Sequence, residues 1–110
     1  MNLDDYQAHS SRTAIFPNEM PDSVDVEVMY CAIGLVGEAG EVMEKVKKAI
    51  REDDPSYLDD LEDELGDVLW YWAQLAGQID AGASDIAERN LNKLLDRQRR
   101  GKLTGEGDER

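Results

Sequence analysis

The chain has one cysteine, one histidine, one phenylalanine and three prolines, and each scarcity closes off an architecture. Cys31 alone can form neither an internal disulfide nor a cysteine-rich zinc site, and its apolar neighbourhood points to packing rather than reactivity. His9 has no second histidine in ligand spacing, which disfavours the Glu-x-x-His pairs of di-iron carboxylate bundles. Cations are also scarce: 12 Lys and Arg stand against 25 Asp and Glu, a net charge of −13. Such a surface lacks the clustered basic residues that grip a phosphate backbone, so no direct nucleic-acid binding is expected, and a phosphate ligand would need metal ions as intermediaries. No apolar run approaches the roughly 20 residues of a membrane helix, and the N-terminus lacks the basic and apolar regions of a signal peptide. The expectation is a soluble, cytoplasmic protein with no membrane partner.

What remains is rich in Ala, Leu, Glu, Asp and Lys with few β-branched runs, which predicts an all-α fold in one domain over residues 1–100. A short polar helix is expected from Leu3 to about Ala14, with Asp4 and Asp5 in its first turn. Pro17, Asn18, Pro21 and Asp22 mark a connecting loop over Ile15–Ser23. Val28, Ala32, Leu35, Ala39, Val42, Val46 and Ala49 then recur at helical spacing from about Val24 to Arg51. Glu52, Asp53, Asp54, Pro55 and Ser56 form a turn, because proline cannot continue a helix and pushes Asp54 out of helical geometry. The next stripe, Leu58, Leu61, Leu65, Val68, Trp72, Leu75 and Ile79, predicts a helix over about Ser56–Asp80. A last helix starts near Ser84 and Asp85 and carries Ile86, Leu91, Leu94 and Leu95. The tail 101–110 has too little apolar content to fold alone and is expected to be disordered.

One pattern occurs twice. Glu38-Ala39-Gly40-Glu41-Val42-Met43 is echoed by Glu64-Leu65-Gly66-Asp67-Val68-Leu69, each with two acids three residues apart on one helical face. A hairpin with its midpoint between Glu52 and Asp53 brings Glu38 level with Asp67 and Glu41 level with Glu64. Each acid pair sits about 100° and 160° round from the core stripe on the same side, so both turn into one groove. Four carboxylates at one height raise each other's pKa unless a cation intervenes, and oxygen-only ligands suit magnesium or manganese. The bland alternative, the solvated flanks of two amphipathic helices, fits a single Glu-x-x-Glu better than a duplicated one.

Gly34, Gly37, Gly40 and Gly66 each weaken their helix by roughly 1 kcal/mol relative to alanine, which close approach of either another helix or a ligand would explain. Trp70, Tyr71 and Trp72 point three ways, so at least one lies outside the hairpin core, as an oligomer contact or as a wall for a nucleobase. Lys93 and Arg97, one turn apart on the last helix, are either a solvated face or a pair of phosphate donors.

Taken together these segments resemble the MazG-like, all-α nucleoside triphosphate pyrophosphohydrolases. The resemblance covers nearly the whole chain, from Leu3-Asp4-Asp5-Tyr6-Gln7 through Gly34–Val42 and Asp63–Tyr71 to Asn90-Leu91-Asn92-Lys93-Leu94. It implies an antiparallel bundle of about four helices completed by oligomerisation, as a homodimer or dimer-based tetramer in which a partner subunit helps complete each site. It implies further that Glu38, Glu41, Glu64 and Asp67 bind Mg2+, with Mn2+ as a substitute, that Glu38 or Glu41 serves as base, and that Asn90, Lys93 and Arg97 contact substrate. The implied reaction converts a nucleoside triphosphate to the monophosphate and pyrophosphate, in a role that is either nucleotide-pool cleaning or the removal of a signalling nucleotide. Some members carry a basic residue one turn before the second motif, where this chain has Asp60; phosphate binding would then rest on Lys93 and Arg97, with Lys45 or Lys48 as further candidates. The competing class is a non-catalytic acidic helical adaptor or DNA mimic, recognised through its charge.

Overall fold

The computed structural model describes residues 1–16, 25–107 and 110. Among them there are helices and no strand: α1 (Leu3–Ser10), α2 (Val26–Arg51), α3 (Leu61–Gln78) and α4 (Ala83–Arg99), with 3₁₀ turns at Ser11–Thr13 and Pro55–Leu58. The connector expected over Ile15–Ser23 falls mostly outside the described residues. No helix among the described residues is long and apolar enough to cross a membrane.

Local chemistry sets the helix ends. Asn2 opens α1 with a reciprocal capping box, its Oδ1 accepting from the Asp5 N–H at 2.8 Å, and Asp25 opens α2 by accepting from the Val28 N–H at 3.2 Å. α2 closes with Asp53 in the left-handed region at φ 49. The Asp53 N–H returns to Ile50 O at 3.3 Å and the Asp54 N–H to Ala49 O at 3.1 Å, which satisfies carbonyls the helix end would orphan. Pro55 then begins the 3₁₀ turn, where no N–H is needed, and Asp54 Oδ1 accepts from the Ser56 N–H at 3.0 Å. α3 starts at Leu61, later than the apolar stripe suggested, because Asp59 and Asp60 belong to a residue type that favours caps and turns over helix interiors.

α3 ends in the same way as α2, with Asp80 at φ 57 and the Ala81 N–H returning to Ala76 O at 2.9 Å. A left-handed conformation strains any residue with a Cβ, although Asp tolerates it better than most. Asp80→Gly is therefore expected to raise stability by about 0.5 kcal/mol, read as a higher melting temperature; a lower one would show that the Asp80 side chain does something else at this turn.

The hairpin has the register expected from its turn. Gly34 of α2 lies against the Tyr71 ring of α3, and Lys45 of α2 meets Asp60 at the start of α3, so each step forward on one helix matches a step back on the other. α1 packs across α3 where the buried Ala73 and Ala76 leave room for it. This draws the most buried side of α3 toward α1, and Leu65 and Ile79, expected on its core stripe, remain 51 % and 59 % exposed.

α4 is held by residues far away in sequence. No side chain of its own caps it: Gly82 takes the N-cap position, and Ser84 and Asp85 fall inside the first turn instead of preceding it. Gln7 of α1 supplies the missing partner, its Oε1 accepting from the Ala83 N–H at 3.2 Å while its Nε2 donates to Ala81 O at 2.9 Å; Asp4 Oδ1 accepts from the Ser84 N–H at 2.9 Å. α4 closes on Gly101 at φ 69, with the Lys102 N–H returning to Arg97 O at 2.7 Å. Residues 101–107 form no helix or strand.

The shape is open. The accessible surface is 8155 Å², against about 6,100 Å² for a compact monomer of this mass, and the radius of gyration is 17.1 Å against about 13 Å. Met29, Ile33, Val36, Met43 and Ile50 along α2 and Leu91, Leu94 and Leu95 on α4 are all exposed.

Candidate metal centre

Glu38 sits mid-way along α2, and Glu64 and Asp67 sit in the first two turns of α3. The hairpin makes them converge: one carboxylate oxygen from each of Glu38, Glu64 and Asp67 lies within 4.8 Å of the others. An ion about 2.1 Å from each oxygen would draw them to separations of at most about 4.2 Å, a shift within reach of side-chain rotation. Glu41, one turn further on, is exposed and stands outside this trio. Of the four acids singled out in the sequence, three share a point and the fourth borders it.

The electrostatics fit a cation. Partial desolvation pushes the Glu38 carboxyl pKa up, and the neighbouring charges of Asp67, Glu64 and Glu41 push it further in the same direction. Glu64 has a counter-charge within the protein, since Lys45 Nζ lies 3.2 Å from Glu64 Oε1 and 3.7 Å from Asp60 Oδ2. A Cβ at Gly37, Gly40 or Gly66 would meet nothing within 4 Å, whereas one at Gly34 would overlap the Tyr71 ring. Among the described residues, packing explains Gly34 of these four, and the other three leave bare backbone beside the acids.

Aromatic rings cluster at the Gly34 end of the hairpin. Phe16, Tyr30, Trp70 and Tyr71 form one cluster, with ring centroids 5.0 Å apart for Trp70 and Tyr71, 5.6 Å for Phe16 and Tyr30, and 5.9 Å for Phe16 and Trp70. Trp70 Nε1 donates to Thr13 Oγ1 at 2.9 Å, so this ring lies outside the α2–α3 core and ties the segment after α1 to the hairpin. Cys31 is fully buried, and burial followed by the charge of Glu27 raises its thiol pKa, as suits an inert packing residue.

Asn90 and Lys93 line an open cleft of about 390 Å³ with Ile86 and Arg89, and none of the acid trio lines it. Arg97 is 4 % exposed. α4 leans on α1 and touches α3 only sparsely. Among the described residues Lys45, which the sequence offered only as a further phosphate-binding candidate, is a cation in contact with the trio, through Glu64. Its signal was available: the hairpin register sets it level with Asp60.

Residues 30–101 match the family described as the MazG nucleotide pyrophosphohydrolase domain. The Gene 37 protein of Mycobacterium phage L5 is 49 % identical over 115 residues, covering 100 % of both chains. No solved structure matches. The chain belongs to the MazG nucleotide pyrophosphohydrolase domain family.

Proposed function

We propose that this protein is a magnesium-dependent nucleoside triphosphate pyrophosphohydrolase, with manganese as a substitute, that releases pyrophosphate and a monophosphate from ribo- or deoxyribonucleoside triphosphates in the cytoplasmic nucleotide pool. The observation that carries this reading is the convergence of Glu38, Glu64 and Asp67 from opposite arms of the hairpin in a chain of this family. A divalent ion held by the trio would neutralise triphosphate charge and lower the pKa of a water aimed at phosphorus. Glu41, exposed beside the trio, would take that water's proton and pass it to solvent. The open backbone at Gly37, Gly40 and Gly66 leaves room for a charged chain of phosphates.

The protein works as a homodimer or a dimer-based tetramer in this reading. Surface in excess of a compact monomer's and the bare apolar stripe on α2 support it, and a second copy is also the route by which Asn90 and Lys93 would reach a triphosphate held at the acids, whereas the buried Arg97 would have to change its packing to do so. The test is a panel of standard and modified triphosphates, assayed for monophosphate and pyrophosphate in magnesium and in chelator, with sedimentation of the same samples. At least one triphosphate should turn over in magnesium alone, with the protein sedimenting as a dimer or larger. Absence of turnover across the panel at high enzyme concentration would favour the acidic adaptor or DNA mimic.

A further inference from the structure

We infer that Lys45 is a phosphate-binding residue of this site: it is held over the acids by Asp60 and Glu64 and is handed to the substrate's outer phosphates when a metal ion takes its place on Glu64. The inference rests on the reading of the groove as a triphosphate site. Lys45 projects from α2 one turn beyond Glu41, and its ammonium contacts Glu64 Oε1 at 3.2 Å, one carboxylate away from the converging oxygens of Glu38 and Asp67. Its side chain is 24 % exposed and that of Glu64 20 %, so the pair is partly withdrawn from solvent and screened less than a surface pair. Lys47, two residues on, instead pairs with Glu44 on its own helix, with both side chains well exposed.

Asp60 supplies the independent observation. It occupies the N-cap position of α3, where an aspartate ordinarily accepts from the helix's own N–H groups, yet it makes no such bond. Its carboxylate lies 3.7 Å from Lys45 Nζ. Asp60 thus caps no N–H of its own helix and, with its side chain 76 % exposed, adds a solvent-screened charge beside the lysine, a positioning contact secondary to that of Glu64.

The exchange follows from charge. A divalent ion on Glu64 and an ammonium on the same carboxylate repel each other, and an anionic phosphate between them turns repulsion into two attractions. The lysine stem has four flexible carbons and three donors that can re-aim without moving the helix. Substrate therefore finds a cation already in place, in a groove that is otherwise acidic.

The experiment compares Lys45→Gln, Lys45→Arg and Asp60→Asn with wild type and the control Lys47→Gln. It measures KM and kcat for a triphosphate that wild type hydrolyses, calorimetric binding of inorganic tripolyphosphate in calcium, and binding of Mn2+ alone. Lys45→Gln is expected to raise KM and weaken tripolyphosphate binding by about tenfold, the scale of one lost charge-assisted hydrogen bond, with Mn2+ binding unchanged or tighter. Lys45→Arg should fold like wild type and recover most of the loss, and Asp60→Asn should show a smaller shift in the same direction. If Lys45→Gln matches wild type in KM and tripolyphosphate affinity, the assignment of Lys45 falls while the proposed function stands. If wild type hydrolyses nothing, the proposed function falls, and the tripolyphosphate titration still decides Lys45; no tripolyphosphate binding by wild type that hydrolyses a triphosphate would overturn the Lys45 assignment alone.

Discussion

Glu38→Gln should cut triphosphate turnover by about a hundredfold or more, the scale on which charge stabilisation at a reacting phosphate is lost, while the metal-free protein melts at the same temperature or higher. Three acids crowd Glu38, and its pKa is raised by desolvation first and by Asp67, Glu64 and Glu41 after it. A carboxyl whose folded pKa lies above its unfolded value favours the folded state while protonated, and that contribution is lost as pH rises through the folded pKa. In chelator the glutamine variant should therefore outlast wild type at neutral pH, and its advantage should vanish as pH falls and Glu38 itself becomes protonated. In magnesium the order should reverse, because wild type binds the ion more tightly and gains more stability from it. Glu64→Gln is the less clean variant, since it also breaks the pair with Lys45. Melting curves from pH 4 to 8 in both media, with Glu88→Gln on α4 as control, check this. A Glu38→Gln protein that is destabilised in chelator and turns over like the control would make Glu38 a structural pairing partner.

Alanine at the glycines should divide them into two classes. Gly34→Ala sets a methyl into the Tyr71 ring, and overpacking of that kind costs about 1–3 kcal/mol, only partly offset by roughly 1 kcal/mol of improved helix propensity. It should lower the melting temperature and loosen the aromatic cluster, seen as a change in Trp70 fluorescence. Gly37→Ala, Gly40→Ala and Gly66→Ala meet open space and should each stabilise the fold by up to about 1 kcal/mol. Turnover by the triple alanine variant should nonetheless fall by about tenfold or more, because methyls would stand where phosphates or a second copy approach the backbone. Full turnover in a more stable triple variant would mean that nothing needs this space.

Much of this was legible in the sequence because it depends on local rules. The duplicated acid pairs, the proline turn and the two apolar stripes were enough for the hairpin and its register, and Gly34 with Tyr71 and Lys45 with Asp60 fall where that register puts them. The sequence could not show which of four level acids share a point, since that depends on side-chain reach: oxygens of Glu38, Glu64 and Asp67 converge, and Glu41 acts on Glu38 through its charge from outside that trio. The capping of α4 by Gln7 and Asp4 was hidden for a different reason. Helix signals are read from neighbours, and these partners lie at the other end of the chain. Asp60 looked like the loss of a cation, whereas in space it sits beside one.

Glu38, Glu64 and Asp67 are expected to hold the ion on which turnover depends, with Glu41 acting beside them. Titration of Mn2+ by electron paramagnetic resonance, alongside magnesium-supported turnover of the same preparations, tests this most directly. Wild type, Glu41→Gln and the control Glu88→Gln should bind Mn2+ with similar affinity, Glu38→Gln and Asp67→Asn should bind it at least about tenfold more weakly, the scale of one lost carboxylate ligand or its support, and turnover should collapse in all but wild type and the control. Mn2+ binding that survives Glu38→Gln and Asp67→Asn unchanged would contradict the account.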